Sequence, residues 1–200
     1  MSTAKIRELE KEIFEKTQEL TRLRAENPGT VVSNYEFDSL NGKIALKDLF
    51  AGREQLMLIH NMGQVCRYCT LWADGINAFL PHLESAMSVV LVCRDDVHTQ
   101  SRKAHSRGWR FRIASHSGGS YIKQQTVLDG EDNCPGVVLY QLNGDEIVRK
   151  NSAVFGPYDE FCSIWNLLSL ASLDTANWTP QHHYWQRPDK MDDGGQNLFD

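Results

Sequence analysis

The chain has 200 residues, enough for one domain with a sizeable core and an appendage. It is 41% hydrophobic and 24% charged, an ordinary balance for a folded domain. A net charge of −5 leaves no basic surplus to neutralise phosphates, and no apolar run approaches a bilayer span, so neither nucleic acid nor membrane is an expected partner.

Periodicity predicts a helix over residues 4–25, within an N-terminal segment 1–27. Ile6, Ile13 and Leu20 recur every seven residues, Leu9 and Leu23 take the interleaved seam, and Lys16 interrupts it. Glu8–Lys11, Glu12–Lys16 and Glu19–Arg22 can pair on the solvated side. Asn27-Pro28-Gly29 ends the helix, because proline cannot continue it and glycine permits the turn. The stripe spans fewer than three heptads, so the expected partner is the chain's own domain; a homodimer through residues 4–25 is the alternative. These residues offer no apolar signal core and no small-residue cleavage site, which predicts a cytoplasmic protein.

Residues 28–173 alternate between strand and helix patterns. Tyr35–Asp38 reads as a short strand turned by Asn41-Gly42, Ala45–Ala51 as helical turns, and Gln55–His60 as a strand. A helix is expected from Cys66 to about Ser85. Ser88–Cys93 has the continuous β-branched character of a buried central strand. Next come a helix over Asp96–Arg107 stopped by Gly108, a strand Trp109–Ala114 and a polar loop Ser115–Ser120. Pro135 opens a strand through Tyr140, and Asn143-Gly144 turns it into Glu146–Lys150 as a hairpin. Tyr158–Leu170 is the last expected helix. The tail, 174–200, shows no periodicity and is expected to lie over the surface, with its final ten residues disordered.

Within this frame Cys66-Arg67-Tyr68-Cys69 carries the chemistry. It follows a strand and opens a helix, where unpaired N–H groups and the positive end of the helix dipole favour thiolate over thiol. A second cysteine three positions on can attack the mixed disulfide formed by the first. The five cysteines, 66, 69, 93, 134 and 162, are odd in number and lack framework spacing, which favours catalytic or metal-binding use over structural bridges. Cys93 and Cys162 read as core.

The order β, α, β, α, hairpin, α together with this motif resembles the thioredoxin superfamily. The expected class is α/β: a thioredoxin-like three-layer sandwich on a mixed central sheet, with an N-terminal helical extension. More narrowly, Cys66-Arg67-Tyr68-Cys69 with Trp72-Ala73-Asp74-Gly75, Pro81-His82-Leu83, Gly108-Trp109 and Phe155-Gly156-Pro157-Tyr158 resembles a bacterial thioredoxin-like family defined only as a domain of unknown function. The resemblance implies a thiol–disulfide oxidoreductase in which Cys66 attacks and Cys69 resolves. It implies a cis Pro135 facing the motif, where a substrate backbone docks, and it lands His60 where thioredoxins carry a buried proton-relaying acid. His60 reads equally as a hydrogen-bonded core histidine. Arg67, Tyr68, Trp72 and Cys134 are expected to border the substrate, and Arg67 to lower the Cys66 pKa.

The substrate implied is a protein or small-molecule thiol or disulfide, with a thioredoxin- or glutathione-type reductant. The cysteines are themselves the redox centre, so no organic cofactor is needed. Two other readings compete. Zinc would use Cys66 and Cys69 with His60, Cys134, His182 or His183, yet no second C-x-x-C or H-x3-H appears, and the expected metal is none. A peroxiredoxin would carry threonine three residues before its cysteine and proline four before that; this chain has Gly63 and Ile59, which argues against peroxide reduction at Cys66. A non-enzymatic adaptor, recruiting partners through the helix and aromatic tail, is the alternative of a different class.

Overall fold

The amphipathic N-terminal segment forms helix α1 (Thr3–Glu26), and the chain then lays down β1 (Thr30–Val32), β2 (Glu36–Ser39) and β3 (Gly42–Ala45). A 3-10 turn (Leu46–Phe50) leads into β4 (Gln55–Asn61), α2 (Arg67–Ala86), β5 (Ser88–Cys93), α3 (Val97–Arg107) and β6 (Arg112–Ser115). A one-turn α4 (Ser120–Gln124) precedes the hairpin β7 (Gly136–Asn143) and β8 (Glu146–Val154), and α5 (Ile164–Leu170) follows. This computed structural model describes residues 3–173 and 178–184. Most of the tail, Trp185 included, lies outside the described residues.

The strands make one mixed sheet in the order β1-β8-β7-β4-β5-β6-β2-β3. β4, β5 and β6 run parallel, joined by the crossovers α2 and α3, and β7 lies antiparallel against β4. Every residue of β5 is buried, as a central parallel strand requires.

Side-chain alternation sorts the core into two halves. Leu56, Leu58, Val90, Val92, Val138 and Tyr140 pack with Leu46, Leu49, Phe50 and Tyr121 on one face. Ile59, Val89, Leu91 and Val137 pack on the other with Trp72, Ala73 and Leu80 of α2 and Trp165 of α5. The result is the expected three-layer thioredoxin-like sandwich, with an N-terminal helix.

Several local expectations need correction. The apolar stripe of α1 is not covered by the described residues of its own domain: none of the helix is buried, and Ile6, Leu9, Ile13, Leu20 and Leu23 are all exposed. β6 starts at Arg112 rather than Trp109, because Trp109 turns onto α2 and its Nε1 donates to Asp74 Oδ1 at 2.7 Å. α5 starts at Ile164 rather than Tyr158, because Asp159 holds the preceding residues in a turn by accepting from Gly156, Phe161 and Cys162 N–H groups. β1, β3 and α4 are too short to show a period.

Leu58, fully buried in the middle of β4, has no room to relax. Leu58→Ala is expected to lower unfolding free energy by about 2–5 kcal/mol, read as a fall in the urea midpoint at unchanged slope.

Candidate active site

α2 begins where the sequence places the first cysteine. Cys66 is its N-cap, extended in backbone, and its sulfur accepts the Cys69 backbone N–H at 3.0 Å. A thiolate there does the work of a capping oxygen and meets the positive end of a helix 20 residues long. Thr70 closes the first turn, both its N–H and its hydroxyl bonding the Cys66 carbonyl, at 3.1 and 3.0 Å. Cys69 lies one turn in, and its sulfur accepts the Met62 N–H at 3.3 Å.

The two cysteines are pushed in opposite directions. The side-chain hydrogen bond from Cys69 is the largest influence on Cys66 and lowers its pKa. Burial opposes this, while the N–H groups of Cys69 and Tyr68 and the Arg67 charge add to it. Burial, and then the neighbouring Cys66, raise Cys69 well above an ordinary thiol. Of the pair, Cys66 therefore loses its proton first and Cys69 holds its own. Both cysteines are free thiols.

The loop before the helix is held by residues that sequence reasoning missed. Asn61, the last residue of β4, accepts the Gly63 N–H at 2.9 Å. Asp95, beyond β5, accepts the Gln64 N–H at 2.8 Å. Gly63 has φ +121°, and a Cβ there would come within 2.8 Å of the Asp95 carboxylate, so both backbone and neighbour demand glycine. These contacts come from strand ends, where a lone Asn or Asp carries no periodic signal.

The other expected site residues are only partly brought together. Tyr68 is half-buried beside the cysteines and packs near Trp72 and Trp165. Arg67 is fully buried and Trp72 nearly so, so neither presents a surface to substrate as expected. Trp72 instead donates from Nε1 to Asp159 Oδ2 at 2.9 Å and stacks on Phe155. The W-A-D-G, G-W and F-G-P-Y motifs are thus joined structurally, through Trp72–Asp159 and Asp74–Trp109.

His60 points to the opposite face of the sheet from α2, with Leu56 and Leu58. Its Nε2 is 2.6 Å from the Tyr121 hydroxyl, and burial pushes its pKa down to about 3. A histidine titrating near neutrality is therefore not found there. Pro135 is preceded by a trans bond, since no described peptide is cis. Its carbonyl accepts the Phe155 N–H at 2.9 Å, so it is spent on the start of the β7–β8 hairpin. The segment nevertheless runs beside the cysteine loop, with Asn133 Nδ2 3.5 Å from the Met62 carbonyl. Cys134, half-buried, has its pKa raised by burial and then by Glu131, and remains a thiol.

The tail reaches this loop as well. Lys103 Nζ lies 3.1 Å from His182 Nδ1, the other ring nitrogen lies 3.4 Å from the Val65 carbonyl, and Arg107 donates to the His182 carbonyl at 2.6 Å. Burial, and then Lys103, push the His182 pKa down to about 4, while burial and then Arg107 bring Lys103 to about 8. A charged Lys103 donating to a neutral His182 satisfies both. Cys66, between this strap and the aromatic cluster, is only 2% exposed. Among the described residues, no three His, Cys, Asp or Glu side chains converge as a metal site, and no helix is long and apolar enough to cross a membrane.

The backbone is similar to several solved peroxiredoxins. A cysteine-to-serine mutant of Xanthomonas campestris peroxiredoxin Q aligns with TM-score 0.53 at 14% identity, over 69% of this chain and 89% of its own. Peroxidoxin BcpB of Mycobacterium tuberculosis aligns with TM-score 0.52 at 17% identity, over 76% of this chain and 99% of its own. A mutant of PrxQ from Xylella fastidiosa gives 0.52 at 18% identity, over 72% and 96%. Identities this low establish a shared fold. No curated protein matches the sequence. The model of the family described as "Bacterial protein of unknown function (DUF899)" matches residues 3–191. With nearly the whole chain matched and the sandwich in place, the protein belongs to the DUF899 family and carries it on a thioredoxin-like fold.

Proposed function

We propose that the chain is a thiol-based redox enzyme that cycles Cys66 and Cys69 between dithiol and disulfide. The observation that carries this reading is the head of α2: Cys66 caps the helix, its sulfur accepts the Cys69 N–H at 3.0 Å, and its pKa is lowered while that of Cys69 is raised. A catalytic pair needs a thiolate nucleophile and a protonated resolving thiol within reach, and an inert buried pair needs neither.

With a disulfide substrate, the Cys66 thiolate attacks one substrate sulfur, forming a mixed disulfide and releasing the other as a thiolate that takes up a proton. Cys69 then gives up its proton and attacks the Cys66 sulfur. The Cys66–Cys69 bond forms, the second substrate thiolate leaves, and two electrons have passed to the substrate. A thioredoxin- or glutathione-type reductant resets the pair.

The burial of Cys66 favours a second oxidant. At 2% exposure the sulfur has little room for a protein disulfide, whereas a hydroperoxide is small enough to enter. Cys66 would displace the alcohol and become a sulfenic acid, and Cys69 would condense with it to the same disulfide, releasing water. One structural neighbour is described in terms of the alkyl peroxide reduction activity of the Xanthomonas campestris bacterioferritin comigratory protein. Side-by-side turnover of a small disulfide and an alkyl hydroperoxide separates the two oxidants. Cys66→Ser is expected to abolish whichever is used; unchanged turnover would remove Cys66 from the chemistry.

Ionisation and access should be separable. The rate of Cys66 alkylation against pH is expected to have its midpoint below the ordinary thiol value of about 8.5. Cys69→Ala removes the largest lowering influence and leaves burial in place, so the midpoint should rise, and less so in Cys69→Ser, which keeps a donor. His182→Ala frees the strap from Val65 and should speed alkylation at every pH while leaving the midpoint in place.

A further inference from the structure

The exposed stripe of α1 has no partner among the described residues. The helix is 24 residues long, about 36 Å at 1.5 Å per residue, and none of those residues is buried. On one side, exposures are 47% for Ile6, 43% for Leu9, 66% for Ile13, 37% for Leu20 and 49% for Leu23. Helices draw most of their stability from burying such a face.

The base of the helix is clamped so that it stands away from the sheet. Arg24 pairs with Glu160 at 2.7 Å, Asn151 Nδ2 donates to the Arg24 carbonyl at 3.2 Å, and Lys150 Nζ donates to the Asn27 carbonyl. Gly29, at φ +78°, passes so close to β8 that a Cβ would lie 2.5 Å from the Arg149 carbonyl oxygen. The exit direction is fixed by these contacts, which leave the apolar side uncovered.

Charge decides among the candidate occupants. Residues 3–26 hold six basic and six acidic side chains, so the helix has no net attraction for an anionic membrane. The charges flanking the seam suit a second copy of the same helix running parallel. In that register Lys5 faces Glu10 of the second copy, Glu19 faces its Arg24, and Glu12 meets the uncharged Thr17, with no like charges opposed across the flanks. An antiparallel pair that set Leu9 against Leu20 would bring Glu12 against Glu19 twice along one flank, a repulsion that Lys5 against Glu26 only offsets. The intrachain pair Lys5–Glu8 is exposed enough to exchange partners at little cost, and Arg24 can reach Glu19 of the second copy while Asn151, Lys150 and Gly29 keep the base of the helix in place.

We propose that α1 pairs two copies of this chain through a parallel two-stranded coiled coil seamed by Ile6, Leu9, Ile13, Leu20 and Leu23. Lys16 occupies the remaining seam position, 2.8 Å from Glu19 of its own helix, and its charge at the core keeps the dimer reversible.

Sedimentation of the full chain over a concentration series tests this. Two 22.8 kDa chains are expected to associate at high concentration and separate on dilution. Ile13→Asp should leave a monomer with an unchanged urea midpoint for the domain, because Ile13 touches no core. Lys16→Leu should tighten the dimer by about tenfold or more. Glu10→Lys should weaken it, and adding Lys5→Glu should restore it. Leu9→Cys should cross-link copies on oxidation, as only a parallel pairing allows. A chain that stays monomeric throughout, a dimer indifferent to Ile13→Asp, or a dimer that Leu9→Cys fails to link would each overturn the proposal. None of these variants touches Cys66 or Cys69, so the outcome is independent of the redox reading.

Discussion

One position organises the proposed chemistry: the Cys66 sulfur at the head of α2, which accepts the Cys69 backbone N–H at 3.0 Å and whose pKa the Cys69 side chain lowers further. Burial alone would keep both thiols protonated, because a low-dielectric surrounding disfavours the anion. At Cys66 the bond from Cys69, two backbone N–H groups and the Arg67 charge together outweigh that penalty. At Cys69 burial and the adjacent sulfur act in the same direction and hold the proton. The asymmetry comes from position on the helix: Cys66 caps it and receives the free N–H groups, while Cys69, one turn in, receives only the Met62 N–H.

The surroundings keep that geometry in place. Asn61 and Asp95 fix the loop at Gly63 and Gln64, and the Trp72–Asp159 bond ties the first turns of α2 to the turn ahead of α5. Trp72 stacks on Phe155 and packs with Tyr68 and Trp165, His182 lies 3.4 Å from the carbonyl of Val65, the residue before Cys66, and both cysteines are buried. A sulfur so enclosed is shielded, which bears on the size of what can reach it.

Much of the fold was legible in the sequence, because long elements announce themselves by period. The uniform run of β5, the apolar stripe of α2 and the Asn143-Gly144 turn each stand where periodicity and turn chemistry predict. The cysteine pair at a strand-to-helix junction was legible for the same reason. The rest failed for identifiable causes. His60 has the right spacing for a relay group, yet strand parity turns it away from α2 with Leu58, and its partner Tyr121 sits on a five-residue helix too short to anticipate. Arg67 and Trp72 look like surface recognition residues in sequence and prove buried, one among the influences on Cys66 and the other bonded to Asp159. The stripe of α1 was visible, but its failure to pack on the domain was not, since the clamp at Asn27 and Gly29 depends on β8.

The proposed chemistry depends on the charge state of Cys66. A pH titration of thiolate ultraviolet absorbance in the reduced protein, repeated on Cys66→Ala, reads it without any substrate. The predicted result is one thiol ionising below about pH 8.5 in the wild type and missing from the variant. A wild-type curve in which every cysteine ionises at or above that value, unchanged by Cys66→Ala, would contradict it.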